Sequence, residues 1–511
     1  LAQVDARNNW WGDASGPYHN ILNPDGKGGA VSDGVIFEPW LRASIKEPTG
    51  FSSVAFIPGI QASRLYRQGL LFENQLWEPN RNDDARKLFM DKDGKSVDGG
   101  IYTRDIIKET NSPFYTGGLG LNIYKKFSES MDKMVASSTI SAWKALPYDW
   151  RFDLSDIVGG GVEGAGGNIS FINQKPEGQL PYMILELEKL ANNSKNGKVT
   201  IITHSNGGLV AKALLKKLAE MKEGGESDLI DKIDRLIMVA APQLGTPQAI
   251  TSMLHGDGQE LLSGFILNKE VAREFAENML GAYNLLPSEK YVGMMADPII
   301  KFHPSLSQVN DWYTRYGYGL KNYGEFRDFI LGGGGRAKPD PANINAPNVL
   351  NASLLGVSEG NHATLDEWQI PASVEVTQIA GWGLDTVSGV EYSSRLECVP
   401  VTGVTHCAPD YVLKRKPSIT SDGDQTVVTP SATAVNGRTY YLNIEQLNKD
   451  TSDSKKHAYI FEIQPLEDLL KNIITENSTT TLPDYVTTEK PEPKDKKLRL
   501  SVHSPVSIDI Y

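Results

Sequence analysis

The chain has 511 residues, 40 % apolar and 22 % charged, enough for a large core and by length for about two to four domains. A formal net charge of −12 excludes nucleic acid as the main partner, because phosphate binding needs a basic face; it leaves membrane docking open. No run of about 18 apolar residues occurs, which excludes a bilayer-spanning helix.

Residues 1–46 are rich in Asn, Gly, Asp and Trp and show no helical periodicity. The run Asn8-Asn9-Trp10-Trp11-Gly12 resembles the terminal coils of right-handed parallel β-helix proteins, and one coil cannot bury its own face. The chain starts at Leu1 without an initiator Met or signal peptide and stops in the alternating stretch Leu498–Val502. Both ends therefore read as cut from something longer.

From Phe51 the pattern turns to strands alternating with helices. Val54–Ile57, Ile140–Leu146, Val199–Ile202 and Ile233–Ala240 read as buried strands, with a helix from Asn206 to about Met221. A cap insertion is expected over 250–372, and the sheet resumes at Val374–Ile379. Thr439–Leu442 is a further strand, followed by a helix from Ala458 to about Ile474. The fold class expected is α/β, a mostly parallel sheet with helices on both faces, spanning residues 47–478. Residues 479–497 read as a Pro/Lys/Glu linker and 498–511 as the start of a β-module.

Thr203-His204-Ser205-Asn206-Gly207-Gly208 sits between a strand and a helix. A serine nucleophile needs that sharp turn so that its hydroxyl stands clear of the sheet, with small residues two positions away. Gly207 supplies the downstream one; upstream, Thr203 replaces the usual Gly, so the turn must open or a neighbouring helix must be thin there. The bland alternative is a helix N-cap.

Such a serine needs a histidine base and a carboxylate, which follow in the order Ser, acid, His in this fold class. Of the histidines from the elbow onward, His204 adjoins the nucleophile, and His255, His303 and His362 fall in the cap. His406 lies between the cysteines and His503 beyond the linker, which leaves His457, before an apolar helix. Asp424 is the favoured acid, Asp422 the runner-up and Asp385 a weaker rival. The two cysteines, Cys398 and Cys407, close a short loop; this fits a disulfide in an exported protein, the alternative being two buried thiols. No cofactor or metal is expected: Gly332–Gly335 follows no strand, and Asp91–Ser96 lacks the carboxylates of a calcium loop.

Five segments together resemble the lecithin:cholesterol acyltransferase-like family. They are Phe56–Leu65, Pro147-Tyr148-Asp149-Trp150-Arg151, the Ser205 elbow, Ala241–Pro247 and Asp422-Gly423-Asp424-Gln425-Thr426-Val427. The resemblance implies a Ser205–Asp424–His457 triad and an oxyanion hole made by the backbone amides of Gln61 and Asn206. Trp77 is a candidate for lining an acyl groove or, equally, for packing; Asp149 and Arg151 read as a structural pair. The function expected is a secreted or cell-surface serine hydrolase or acyltransferase acting on lipid esters, with a lipid aggregate as a possible surface partner. A contrasting expectation is a catalytically silent adhesin-type binding protein on the same scaffold.

Overall fold

The computed structural model describes residues 3–42, 50–69, 72–79, 82–110, 121–173, 175–258, 268–400, 407–476 and 481–492. The strands used below are β1 (Ser53–Ile57), β2 (Trp143–Ala145), β3 (Val199–His204), β4 (Ile233–Val239) and β5 (Ile300–Phe302). They continue with β6 (Glu375–Trp382), β7 (Thr386–Pro400), β8 (Cys407–Thr420), β9 (Arg438–Asn443) and β10 (Val486–Thr487). The central sheet has seven strands in the order β10-β9-β6-β4-β3-β1-β2. All neighbours are parallel except β9 and β10.

The expected α/β class is what forms, and the strand sequences show why. Successive side chains of a strand point to opposite faces, and a parallel sheet covered on both sides is apolar on both. Ala55 and Ile57 of β1 join Val199, Ile201, Leu236 and Met238 in one core, together with Leu209, Leu214 and Leu218 of the helix Gly207–Glu223. Val54 and Phe56 join Ile202, Ile237, Val239 and Ile379 in the other, under the helices Lys125–Ala136 and Gln464–Ile474. The last turn before that final helix is a kinked 3₁₀ segment, His457–Glu462, because Pro465 starts the α-helix anew.

Two features lie outside the sequence expectations. The long antiparallel hairpin β7–β8 pairs through β7 with β5 inside the cap, so the cap region extends past residue 372. Its strands are rich in polar and charged residues and largely exposed toward the tip, which leaves little apolar signal. The Cys398–Cys407 disulfide joins the two strands there. Within the stretch read as a linker, β10 adds an antiparallel edge to the sheet through buried Val486. Two residues are too few to register against the surrounding Pro, Lys and Glu.

The N-terminal segment forms two short parallel pairs, Val4–Asp5 with Val35–Ile36 and Pro17–Tyr18 with Gly28–Ala30. The expected module at 498–511 lies outside the described residues. Among the described residues, no helix is long and apolar enough to cross a membrane.

Candidate active site

The central strands β1, β3 and β4 end together at the carboxyl edge of the sheet, where open α/β sheets place their sites. β3 runs into Ser205, whose φ of 51° lies in the left-handed region, and the helix Gly207–Glu223 starts two residues later. Such a turn is the strained strand-to-helix elbow that lifts a side chain off the sheet. Two glycines allow it. A Cβ on Gly207 would stand 2.4 Å from the Ile57 carbonyl oxygen, and one on Gly208 would stand 2.4 Å from the Ala241 Cβ. The position of a Gly208 Cβ is also 3.6 Å from Thr203 Oγ1, so the thinned helix makes the room that Thr203 takes.

His457 sits at the other side of the elbow. Its Nδ1 is 2.7 Å from Asp424 Oδ2, and its backbone N–H donates to the Asp424 carbonyl at 3.0 Å. The remaining carboxylate oxygen, Asp424 Oδ1, accepts from the amides of Thr426 (3.0 Å) and Val427 (2.8 Å). Asp424 is buried, and a Cβ on Gly381 would collide with its Cβ at 2.6 Å. Of the rival acids, Asp422 is ion-paired with Lys490, and Asp385 lines the cavity, while the carboxylate on His457 Nδ1 is that of Asp424.

Ser205 and His457 line one cavity of about 730 Å³ together with Gln61, Trp77 and Asp385. Its wall includes Ile60, Ile107, Met253, Phe275 and Met279, so it is mainly apolar with polar groups gathered at the elbow. Gln61 has φ 60°, and its carbonyl accepts from Trp77 Nε1 at 2.7 Å. Trp77 packs edge-on against Trp150 and over Phe275, so it both lines the cavity and holds the loop. Asn206 is buried at the elbow.

The structure brings all six expected site residues to this place, with Asp424 behind His457, and Asn206 next to Ser205, buried rather than on the cavity wall. Asp149 and Arg151 form a buried ion pair, with Arg151 also donating to Leu88 O and Ser96 Oγ, away from the cavity. His255 and His362 are bonded within the cap, to Tyr392 and Asp366. The Asp91 carboxylate accepts from the amides of Asp93 and Lys95, which makes that loop a turn. Sequence reasoning missed Tyr124, Tyr148 and the bonded role of His204. Tyr148 was visible inside a recognised segment, whereas Tyr124 carries no local signal.

A parallel α/β sheet with a serine elbow over a deep apolar cavity defines the class. Residues 114–462 match the family model described as lecithin:cholesterol acyltransferase. The chain belongs to the lecithin:cholesterol acyltransferase family, and so to the lipid ester hydrolases and acyltransferases. No curated protein matches it. Among solved structures it is similar to a chain in the crystal structure of the Tle4–Tli4 complex, at 15 % identity and TM-score 0.44, over 84 % of this chain and 99 % of that one. A second is lipase 1 from Pelosinus fermentans, at 13 % identity and TM-score 0.24, over 66 % and 69 %. Neither similarity is close enough to bear on the site.

Proposed function

We propose that the chain cleaves lipid carboxylic esters through an acyl-Ser205 intermediate, with His457 as base and Asp424 as its orienting acid. The observation that carries this is the Asp424–His457 bond, with His457 and Ser205 lining the same cavity. With Nδ1–H directed at the carboxylate, the neutral ring offers Nε2 as the acceptor for the serine proton. Attack on the ester carbonyl forms the Ser205 Oγ–C bond and an oxyanion. The backbone amides of Gln61 and Asn206 are the donors read for it. Collapse expels the alcohol, which takes the proton from His457. Water or a second alcohol then repeats the sequence in reverse and frees Ser205.

The apolar wall with Trp77 suits an acyl chain. The secreted or cell-surface setting and the β-helix reading of residues 1–46 belong to the same proposal; a disulfide and short parallel strand pairs support them. Product analysis of a mixed ester panel tests the function: wild type should release fatty acid or transfer the acyl group, and Ser205→Ala should do neither. Equal turnover by both would refute it. If neither reacts, the silent-scaffold reading replaces it.

A further inference from the structure

We propose that Tyr124 and Tyr148 form a clamp that fixes the oxyanion loop to the residues on either side of the nucleophile; this rests on the reading of Ser205 above. Both hydroxyls hold the same peptide unit. The Gly59 N–H donates to Tyr124 Oη at 3.1 Å, and Tyr148 Oη donates to the Pro58 carbonyl at 3.0 Å. Those are the two ends of the Pro58–Gly59 peptide bond. Each tyrosine is then tied to a neighbour of Ser205. Tyr124 Oη lies 2.7 Å from His204 Nδ1, and Asn206 Nδ2 donates to Tyr148 Oη at 3.2 Å. One peptide plane is thus held from both sides by the residues before and after the nucleophile.

Tyr124 Oη accepts from Gly59 and shares a hydrogen bond with His204 Nδ1, in the direction set by the His204 tautomer. Burial, and then the neighbouring His457 ring at 4.8 Å, hold His204 well below the usual histidine range, in keeping with a neutral ring. Both tyrosines are fully buried, so neither hydroxyl is free to trade these bonds for water. The packing leaves no slack: a Cβ on Gly59 would stand 3.0 Å from the Ser205 Cβ. Gln61 follows the clamped peptide by two residues, so the clamp sets where its amide points. Tyr124, Tyr148 and His204 act through the loop as positioning residues, although Tyr124 and His204 also lie on the cavity wall.

The test is Tyr124→Phe, Tyr148→Phe and the double variant, each keeping its ring and losing one hydroxyl, assayed on a short p-nitrophenyl ester beside wild type and Ser205→Ala. A displaced oxyanion loop weakens transition-state binding and not ground-state binding, so kcat should fall about 10- to 100-fold with KM within about threefold. Because both tyrosines act on one peptide, the double variant should fall no more than about threefold below the worse single one. Melting curves identify the folded variants, and Tyr124→Phe carries the test alone if Tyr148→Phe does not fold. An unchanged kcat in a folded variant, a loss confined to KM, or independent multiplying losses would overturn the clamp. A wild type no faster than Ser205→Ala would overturn the Ser205 reading and the clamp with it. A reactive wild type with unaffected variants overturns the clamp alone.

Discussion

Replacing Asp424 by asparagine changes one atom, and the structure dictates where that atom goes. Asp424 Oδ1 accepts from two backbone amides, Thr426 and Val427, which can only donate. The asparagine must therefore keep its oxygen there and turn its NH₂ toward His457, where Oδ2 now lies 2.7 Å from Nδ1. Two donors cannot share that contact, so the ring gives up its Nδ1 proton and carries it on Nε2 instead. Nε2, the nitrogen assigned the serine proton in the proposed mechanism, then has no lone pair with which to take it. Loss of the productive tautomer lowers kcat by about 10⁴-fold, or about 5 kcal/mol in the barrier. The assay is steady-state hydrolysis of a soluble ester at neutral pH, with circular dichroism to show that Asp424→Asn is folded. A parallel Asp422→Asn control should stay within about threefold of wild type, because that carboxylate pairs with Lys490 and not with His457. A folded Asp424→Asn variant within about tenfold of wild type would refute the assignment, and an Asp422→Asn collapse would transfer the role.

Arg151→Met should cost stability instead, about 3–5 kcal/mol by urea denaturation, because it leaves the Asp149 carboxylate buried without its cation. Trp77→Phe keeps the apolar wall but drops the bond to the Gln61 carbonyl, so kcat should fall about tenfold with KM little changed, read by ester hydrolysis. Lys212, fully buried on the elbow helix with no hydrogen-bond partner for Nζ among the described atoms, has its pKa lowered by burial to about 8, partly opposed by the Asp366 charge. Its folded pKa lies below its unfolded one, so the unfolded chain binds more protons between the two. Its own contribution to stability should rise by about 3 kcal/mol from about pH 8 toward pH 10.5, read as the difference between wild type and Lys212→Met in urea titrations at each pH.

Elements that advertise themselves by apolar runs were readable from the chain alone. The buried β1, β3 and β4 are rich in Val, Ile, Leu and Phe, and the elbow is a local pattern confined to Thr203–Gly208. His457 is reached by elimination along the chain under the order Ser, acid, His, and the fold sets it against Asp424. The choice between Asp422, Asp424 and Asp385 was not local, since it depends on which carboxylate the folded chain turns toward His457. The same holds for the β7–β8 hairpin, whose pairing is set by contact with β5 across the cap, and for β10, anchored by Val486. Tyr124 lies 80 residues from its partner His204, and no spacing rule links them.

The central claim is that Ser205 is the nucleophile. Reaction of the folded protein with a fluorophosphonate probe, followed by peptide mass spectrometry, tests it most directly. The account predicts one stoichiometric adduct on the peptide containing Ser205, lost in Ser205→Ala and slowed strongly in Asp424→Asn. Absence of labelling, or an adduct on another residue that survives Ser205→Ala, would contradict it.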